Sequence, residues 1–282
     1  MRLTNVCVGY GIKTIVKDIN LDFEKGKIYG IIGKNGTGKT TLMKAMMGLK
    51  EVQSGFVEKE NTIGALIEEP GLLKDRTGYD NLKIKAMMEE IDYGEIKELL
   101  KLVGLENAAK RKVKSYSLGM RQRLGIAMAI IGKPEVLILD EPINGLDPEG
   151  IKDIRNLFIS LREKYNMCII ISSHILEELE KVCDKFIFMN EGRVISVKSK
   201  EELREDLVNC TIIKINKEDG IDKVMKKLNV KKYSVEKNVI KLYGEDIEIC
   251  DVIEQLVKDK YKVSEAYKSR LNCEEYFFKM IR

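Results

Sequence analysis

The chain has 282 residues, more than one ordinary domain needs, and its 44% apolar content is enough for a sizeable core, so two domains are expected. A formal net charge of +4, spread without a basic block, together with no tryptophan and 6% aromatic residues, argues against a nucleic-acid partner. No apolar run approaches the ~20 residues of a membrane-spanning helix, so any membrane role is expected to come through a partner. The cysteines (Cys7, Cys168, Cys183, Cys210, Cys250, Cys273) are widely spaced with no CxxC pair, which reads as free thiols in a reducing cytosol.

In chain order, Leu3, Val6 and Val8, then Ile19, Leu21 and Phe23, alternate with polar residues as the strands of an antiparallel patch do. Tyr10 lies between them. Its ring can serve as a stacking surface for a base or as an ordinary half-buried turn tyrosine.

Ile28 to Ile32 predict a short apolar strand, and Thr41 to Met47 a helix closed by Gly48. Between them Gly33-Lys34-Asn35-Gly36-Thr37-Gly38-Lys39-Thr40 fills the phosphate-loop pattern GxxxxGK[ST] without a mismatch. The glycines let backbone N–H groups converge on one anion, and the helix N-terminus adds its partial positive charge. In such a loop Lys39 reaches the β and γ phosphates and Thr40 holds Mg²⁺.

Gly55 and Val57 suggest one short strand and Ile63 to Ile67 another, ending at Glu68-Glu69-Pro70. From Thr77 to Ser115 the apolar residues recur at helical spacing (Leu82, Met87, Ile96, Leu99, Leu100, Val103), which predicts a helical insertion whose methionines fill its core. Ser117 caps a further helix with Leu124, Ala127, Met128 and Ile131 on one face, stopped by Gly132-Lys133-Pro134. Val136 to Leu139 is an apolar strand running into Asp140-Glu141, which is how a phosphate-loop NTPase presents a carboxylate to Mg²⁺ at the carboxyl edge of its sheet. Asp147-Pro148 starts a helix with Ile151, Ile154, Phe158 and Leu161 inward. A buried strand over Met167 to Ile171 then leads to His174, the one histidine of the chain. A lone histidine is usually a surface residue, but one at the end of a parallel strand beside a nucleotide site is a better functional candidate.

Over about the first 200 positions these motifs together resemble the nucleotide-binding subunit of an ABC transporter. Lys34 to Thr41 matches the Walker A loop, Tyr10 falls at the family's adenine-stacking aromatic, and Tyr116-Ser117-Leu118-Gly119-Met120 replaces the LSGGQ signature. Asp140 and Glu141 match the Walker B pair, Asn144-Gly145-Leu146-Asp147 the D-loop, and His174 the switch histidine. The resemblance implies an α/β phosphate-loop cassette at 1–200, a RecA-like mixed sheet with an antiparallel β subdomain and a helical subdomain at about 71–133. It implies ATP and Mg²⁺ as cofactors, ATP hydrolysis as the activity, and two copies, or one copy and a homologue, pairing around the nucleotide. Ser117 and the N–H of Gly119 would then meet the γ phosphate of the facing chain. Asp140 would bind Mg²⁺ through water, Glu141 would polarise the attacking water, and His174 would hold the γ phosphate. The implied partner is an integral-membrane permease, with the chain on the cytoplasmic face of the membrane.

Two positions depart from that pattern. The signature has Leu118 and Met120 where glycine and glutamine are usual, although Ser117 and Gly119 are kept. At the Q-loop, Glu68 stands where the family carries glutamine; it is a candidate Mg²⁺ contact that adds a negative charge near the triphosphate. That glutamate, with Ile63 to Ile67 before it and Gly78-Tyr79-Asp80-Asn81-Leu82 after it, is similar to transporters that protect bacteria from lantibiotics or bacitracin-like peptides. A soluble ABC ATPase of ribosomes or DNA would carry a second cassette or a long coiled coil, and neither is present; an ATP-gated subunit with little turnover fits poorly with Glu141 and His174, and an importer motor stays open.

Lys198 to Glu202 reads as a linker. Beyond it the pattern is strand (Thr211–Ile215), helix (Ile221–Leu228), strand (Tyr233–Val235), turn at Lys237-Asn238, strand (Val239–Tyr243), helix (Ile247–Val257), strand (Lys262–Ala266). That succession predicts a small C-terminal α+β domain at 201–282 of ferredoxin-like order. Asn272 to Phe278 resembles the closing helix of exporter subunits, whose tails help dimerise or regulate.

Overall fold

A computed structural model describes residues 1–206, 210–230, 233–243 and 248–269. Strands β1 (Arg2–Tyr10) and β2 (Lys13–Asp22) form an antiparallel hairpin that buries Leu3, Val6, Val8, Val16, Ile19 and Leu21. Its register shifts near Asn5 and Asp18, which sit at φ 50° and 53°. Asn and Asp tolerate that left-handed backbone better than other side chains, so they are suited to bulged positions.

Strand β3 (Ile28–Ile32) is buried along its whole length, as a central strand covered on both faces must be. It feeds the phosphate loop and helix α1 (Lys39–Met47), which Gly48 closes at φ 81°. Strand β4 (Ser54–Glu58) pairs with β1, giving a three-stranded antiparallel sheet in the order β2-β1-β4. Strand β5 (Ile63–Leu66) comes next in the chain.

Helix α2 (Gly78–Met88) starts at a capping box: the Thr77 hydroxyl accepts from the Asp80 N–H at 3.0 Å, and the Asp80 carboxylate accepts from the Thr77 N–H at 3.3 Å. Helix α3 (Glu95–Leu102) and two 3-10 turns (Glu106–Ala108, Val113–Ser115) lead to α4 (Leu118–Ile130). Helix α4 sits hard against β5: a Cβ on Gly64 would lie 1.8 Å from the Ala129 carbonyl oxygen, so only glycine permits this approach.

Strand β6 (Val136–Asp140), helix α5 (Pro148–Tyr165), strand β7 (Cys168–Ser173), helix α6 (Leu176–Glu180), strands β8 (Lys185–Asn190) and β9 (Arg193–Ser199) and helix α7 (Lys200–Asp206) complete the first two hundred residues and the turn beyond. The main sheet has the order β5-β6-β7-β3-β8-β9, parallel except for β9 at the edge. One core joins the antiparallel sheet and α1 (Leu42, Met43, Met46) to alternate residues of the main sheet (Tyr29, Ile31, Ile138, Ile170, Ile187). The intervening residues, among them Ile28, Leu139, Ile171 and Phe188, are buried on the opposite face, as the two-residue strand period requires.

By internal packing the chain divides into two compact units, 1–200 and 201–282. The second contains β10 (Cys210–Ile215), α8 (Ile221–Lys227), β11 (Tyr233–Glu236), β12 (Val239–Tyr243), α9 (Ile249–Lys258) and β13 (Val263–Ser269). Its sheet is antiparallel in the order β11-β12-β10-β13, and Lys237 and Asn238, at φ 50° and 62°, make the tight turn between β11 and β12. Ile213, Ile240, Leu242, Val224, Met225, Val252 and Leu256 form its separate core.

Four details differ from the sequence reading. The methionines of the helical insertion do not fill its core: Met87 and Met88, at the end of α2, are exposed, and Leu82 and Ala86 supply that helix's buried apolar face. The expected linker is structured: Lys198 and Ser199 pair with Phe186 and Lys185 in the main sheet, and Lys200, Glu201 and Glu202 begin α7. Lysine and glutamate are strong helix formers, and their charge alone suggests a loop. On α5 Ile151 is only half buried whereas Leu157 is buried, so the inward stripe is rotated towards Leu157. The hairpin β8–β9 is a further element absent from that reading, although the apolar run Phe186 to Met189 marks its first strand and Glu191-Gly192, at φ 47° and 80°, supplies its turn. The closing helix expected at Asn272 to Phe278 lies outside the described residues.

Candidate nucleotide site

The parallel strands β3, β6 and β7 end side by side, and the segments leaving their carboxyl ends build the site. After β3, the loop from Gly33 folds back on itself: Thr37 Oγ1 donates to the Lys34 carbonyl at 2.9 Å. A Cβ on Gly33 would stand 2.6 Å from that hydroxyl and 2.8 Å from the Met189 carbonyl, so no larger residue fits there. Lys34, Asn35 and Gly36 are exposed at the rim, Thr37 and Gly38 are buried, and Gly38 sits at φ 99° as the N-terminal cap of α1. The N–H groups that begin α1, with Thr40 and Thr41 in its first turn, therefore face a loop whose glycines leave it open.

Lys39 is 6% exposed, and its ammonium donates to the carbonyls of Gly33 at 2.8 Å and Lys34 at 3.3 Å. It also lies 3.5 Å from Glu141 Oε1. That carboxylate oxygen is buried and accepts no hydrogen bond. A buried acceptor without a donor is costly in a resting protein, and it marks a place where a water or ligand proton belongs.

At the end of β6, Thr40 Oγ1 donates to Asp140 Oδ2 at 2.7 Å. Ser172, paired in register with Asp140 across β6 and β7, donates to Asp140 Oδ1 and accepts from the Glu141 N–H at 2.9 Å. One buried serine thus sets both acids. Glu141 has φ 48°, an unfavourable backbone for a residue with a Cβ, which turns its side chain away from the strand line towards the loop. His174, beyond β7, places Nδ1 2.9 Å from Glu141 Oε2. Sequence reading does not single out Ser172; the signal available for it is its place opposite Asp140 in adjacent strands.

Other candidate residues lie elsewhere. Glu68 is turned to Lys44, with Oε1 2.7 Å from Nζ, while Asp140 is engaged by Thr40 and Ser172. Tyr10 is half exposed, and the Lys50 ammonium sits over its ring 4.0 Å from the centroid. Ser117 caps α4, accepting from the Met120 N–H at 3.2 Å, and Asp147 caps α5, accepting from the Gly150 N–H at 3.2 Å. Ser117, Gly119 and Asp147 line a cleft of about 460 Å³ that contains no residue of the Gly33–Thr40 loop.

The donor set fits a triphosphate with a hard divalent cation: a glycine cradle at a helix N-terminus, one buried ammonium, and a hydroxyl paired with a carboxylate, all oxygen ligands towards the cation. Among the described residues no cluster of three histidine, cysteine or acidic side chains is poised to hold a metal without such a ligand. None of the described helices is long and apolar enough to cross a membrane.

Comparison with known proteins agrees with this geometry. The ABC transporter family matches residues 16–144. The bacitracin transport ATP-binding protein BcrA of Enterococcus faecalis is 36% identical over 98% of this chain and 94% of its own length. The lantibiotic transport ATP-binding protein SrtF of Streptococcus pyogenes is 43% identical over 76% of this chain and 97% of its own. Among solved structures, cbiO1 from Clostridium perfringens, part of an ABC transporter complex, superposes with a TM-score of 0.67 at 26% identity, covering 82% of this chain and 94% of that one.

Proposed function

This chain belongs to the ABC transporter family as an ATP-binding subunit, and we propose that it is the ATP-hydrolysing motor that drives export of a peptide antibiotic through a separate membrane permease. The observation that supports hydrolysis, as distinct from binding alone, is Glu141, held between Lys39 and His174 with the oxygen that faces the Lys39 ammonium accepting no hydrogen bond. The peptide cargo is carried over from relatives whose names describe lantibiotic and bacitracin transport.

In this reading the loop N–H groups and Lys39 bind the triphosphate, and Tyr10 stacks on the base once Lys50 yields its place over the ring. Thr40 and Asp140 hold Mg²⁺, with Glu68 nearby; the ion neutralises charge on the β and γ phosphates. Glu141 takes the proton of the attacking water, with the oxygen that accepts no hydrogen bond as the acceptor for it. His174 orients Glu141 and faces the γ phosphate. Ser172 keeps Asp140 and Glu141 in place from below.

Ser117, Gly119 and Asp147 complete the site in trans. Their cleft contains none of the phosphate-loop residues, so one chain carries two incomplete halves, and a second copy or a homologue facing it closes both. The subunit then works on the cytoplasmic face of the membrane. The segment 201–282 is read as a ferredoxin-like accessory domain that aids pairing or regulation.

The test is in cells. Co-expressed with its membrane partner, the chain should raise the inhibitory concentration of a lantibiotic or of bacitracin, and Glu141→Gln should abolish the protection. Equal protection by wild type and Glu141→Gln would end the motor reading; hydrolysis without any peptide protection would end the cargo reading alone.

A further inference from the structure

Strand β5 pairs with β6 in parallel, Leu66 beside Leu139, so the chain leaves both strands at the same edge of the sheet: Asp140 closes one, and Glu68 lies two residues beyond the end of the other. Helix α1 runs behind this edge. Lys44 lies four residues after Thr40 and so on the same face of the helix. Its ammonium is 2.7 Å from Glu68 Oε1, and its side chain is only 29% exposed. The Glu68 hydrogen bond, opposed by desolvation and helped by the nearby Glu68 and Asp140 carboxylates, holds its ammonium form above the usual lysine range. Glu68 itself occupies φ 62°, a left-handed backbone that is uncommon for a residue with a Cβ.

We propose that Lys44 is the positioning residue for Glu68, an internal counter-ion that holds the glutamate carboxylate away from the Thr40–Asp140 pair until the metal-bearing nucleotide competes for it. This rests on the reading of Thr40 and Asp140 as the cation site. A neutral glutamine at position 68 would need no such partner; a carboxylate added beside a triphosphate does.

The experiment measures Mn²⁺ binding by the paramagnetic resonance of the free ion, with ADP present and protein in excess over it, so that no turnover is involved. Lys44→Met should tighten Mn²⁺ binding about two- to fivefold, the range available to a partly exposed ion pair. In a Glu68→Gln background the same change should have no effect, and Lys44→Arg, which can keep the pair, should leave the wild-type value. A Lys44→Met effect of equal size in both backgrounds would mean that the lysine acts as a general charge, and no effect in either would mean that the pair is incidental; both overturn the proposal. Asp140→Asn separates this from the underlying reading: it should lose Mn²⁺ retention, and if it does not, the cation site itself has been misassigned.

Discussion

His174 docks on Glu141, Nδ1 to Oε2 at 2.9 Å, so the one histidine of the chain touches a carboxylate whose other oxygen faces the Lys39 ammonium at 3.5 Å and accepts no hydrogen bond. The contact joins the end of β7 to the residue after β6, and it fixes the direction in which Glu141 presents its other oxygen. His174→Ala is therefore expected to lower ATP turnover by about 10²-fold or more, the contribution of a well-placed acid–base partner, while nucleotide affinity changes little. Steady-state hydrolysis beside equilibrium nucleotide binding checks it, and an equal loss in both would show that the histidine serves binding instead.

Ser172 is buried and serves Asp140 and the Glu141 backbone at once. Ser172→Ala removes the donor to one and the acceptor of the other, leaving a partly buried N–H unpaired. The expected cost is about 1–3 kcal/mol in urea unfolding, accompanied by weaker Mg²⁺-dependent nucleotide binding. Ser173→Ala is the comparison, since the Ser173 hydroxyl accepts from the Ile175 N–H in the loop beyond and touches neither acid.

The helical subdomain begins at the Thr77–Asp80 capping box. Thr77→Ala should destabilise it by about 1 kcal/mol. The Thr77 hydrogen bonds hold the Asp80 carboxyl below its ordinary value, opposed by a smaller desolvation effect. A folded value below the unfolded one means that the stabilisation is present above about pH 4 and fades as pH falls through the folded value. Thr77→Ala should flatten that acid limb, measured by urea midpoints between about pH 7 and about pH 3. An unchanged limb would assign the acid loss to other carboxylates.

Much of this site can be read from local sequence, because its parts are contiguous. The loop between Ile32 and Lys39, the caps at Ser117 and Asp147, and the acids closing Val136–Leu139 each depend on residues within a few positions of one another. What cannot be read is set by strand order. Nothing near Ser172 announces that it lies beside Asp140; that comes from β6 and β7 being neighbours. The Lys44–Glu68 and Lys50–Tyr10 contacts likewise join segments 24 and 40 positions apart, whose approach depends on how α1 lies against the sheet and the β1–β2 hairpin. The end of β9 and the start of α7 are obscured for a different reason. Lysine and glutamate over Lys198 to Glu202 look like a solvated loop, although they suit an edge strand and a helix equally well.

The central claim is that the Gly33–Thr40 half of one chain and the Ser117–Asp147 half of another close on ATP, and that Glu141 limits how long they stay closed. Sedimentation velocity of Glu141→Gln with Mg²⁺ and ATP tests it most directly. The account predicts a dimer that forms only with ATP and is absent when Lys39→Ala is added; a species that stays monomeric with ATP, or that dimerises regardless of Lys39, would contradict it.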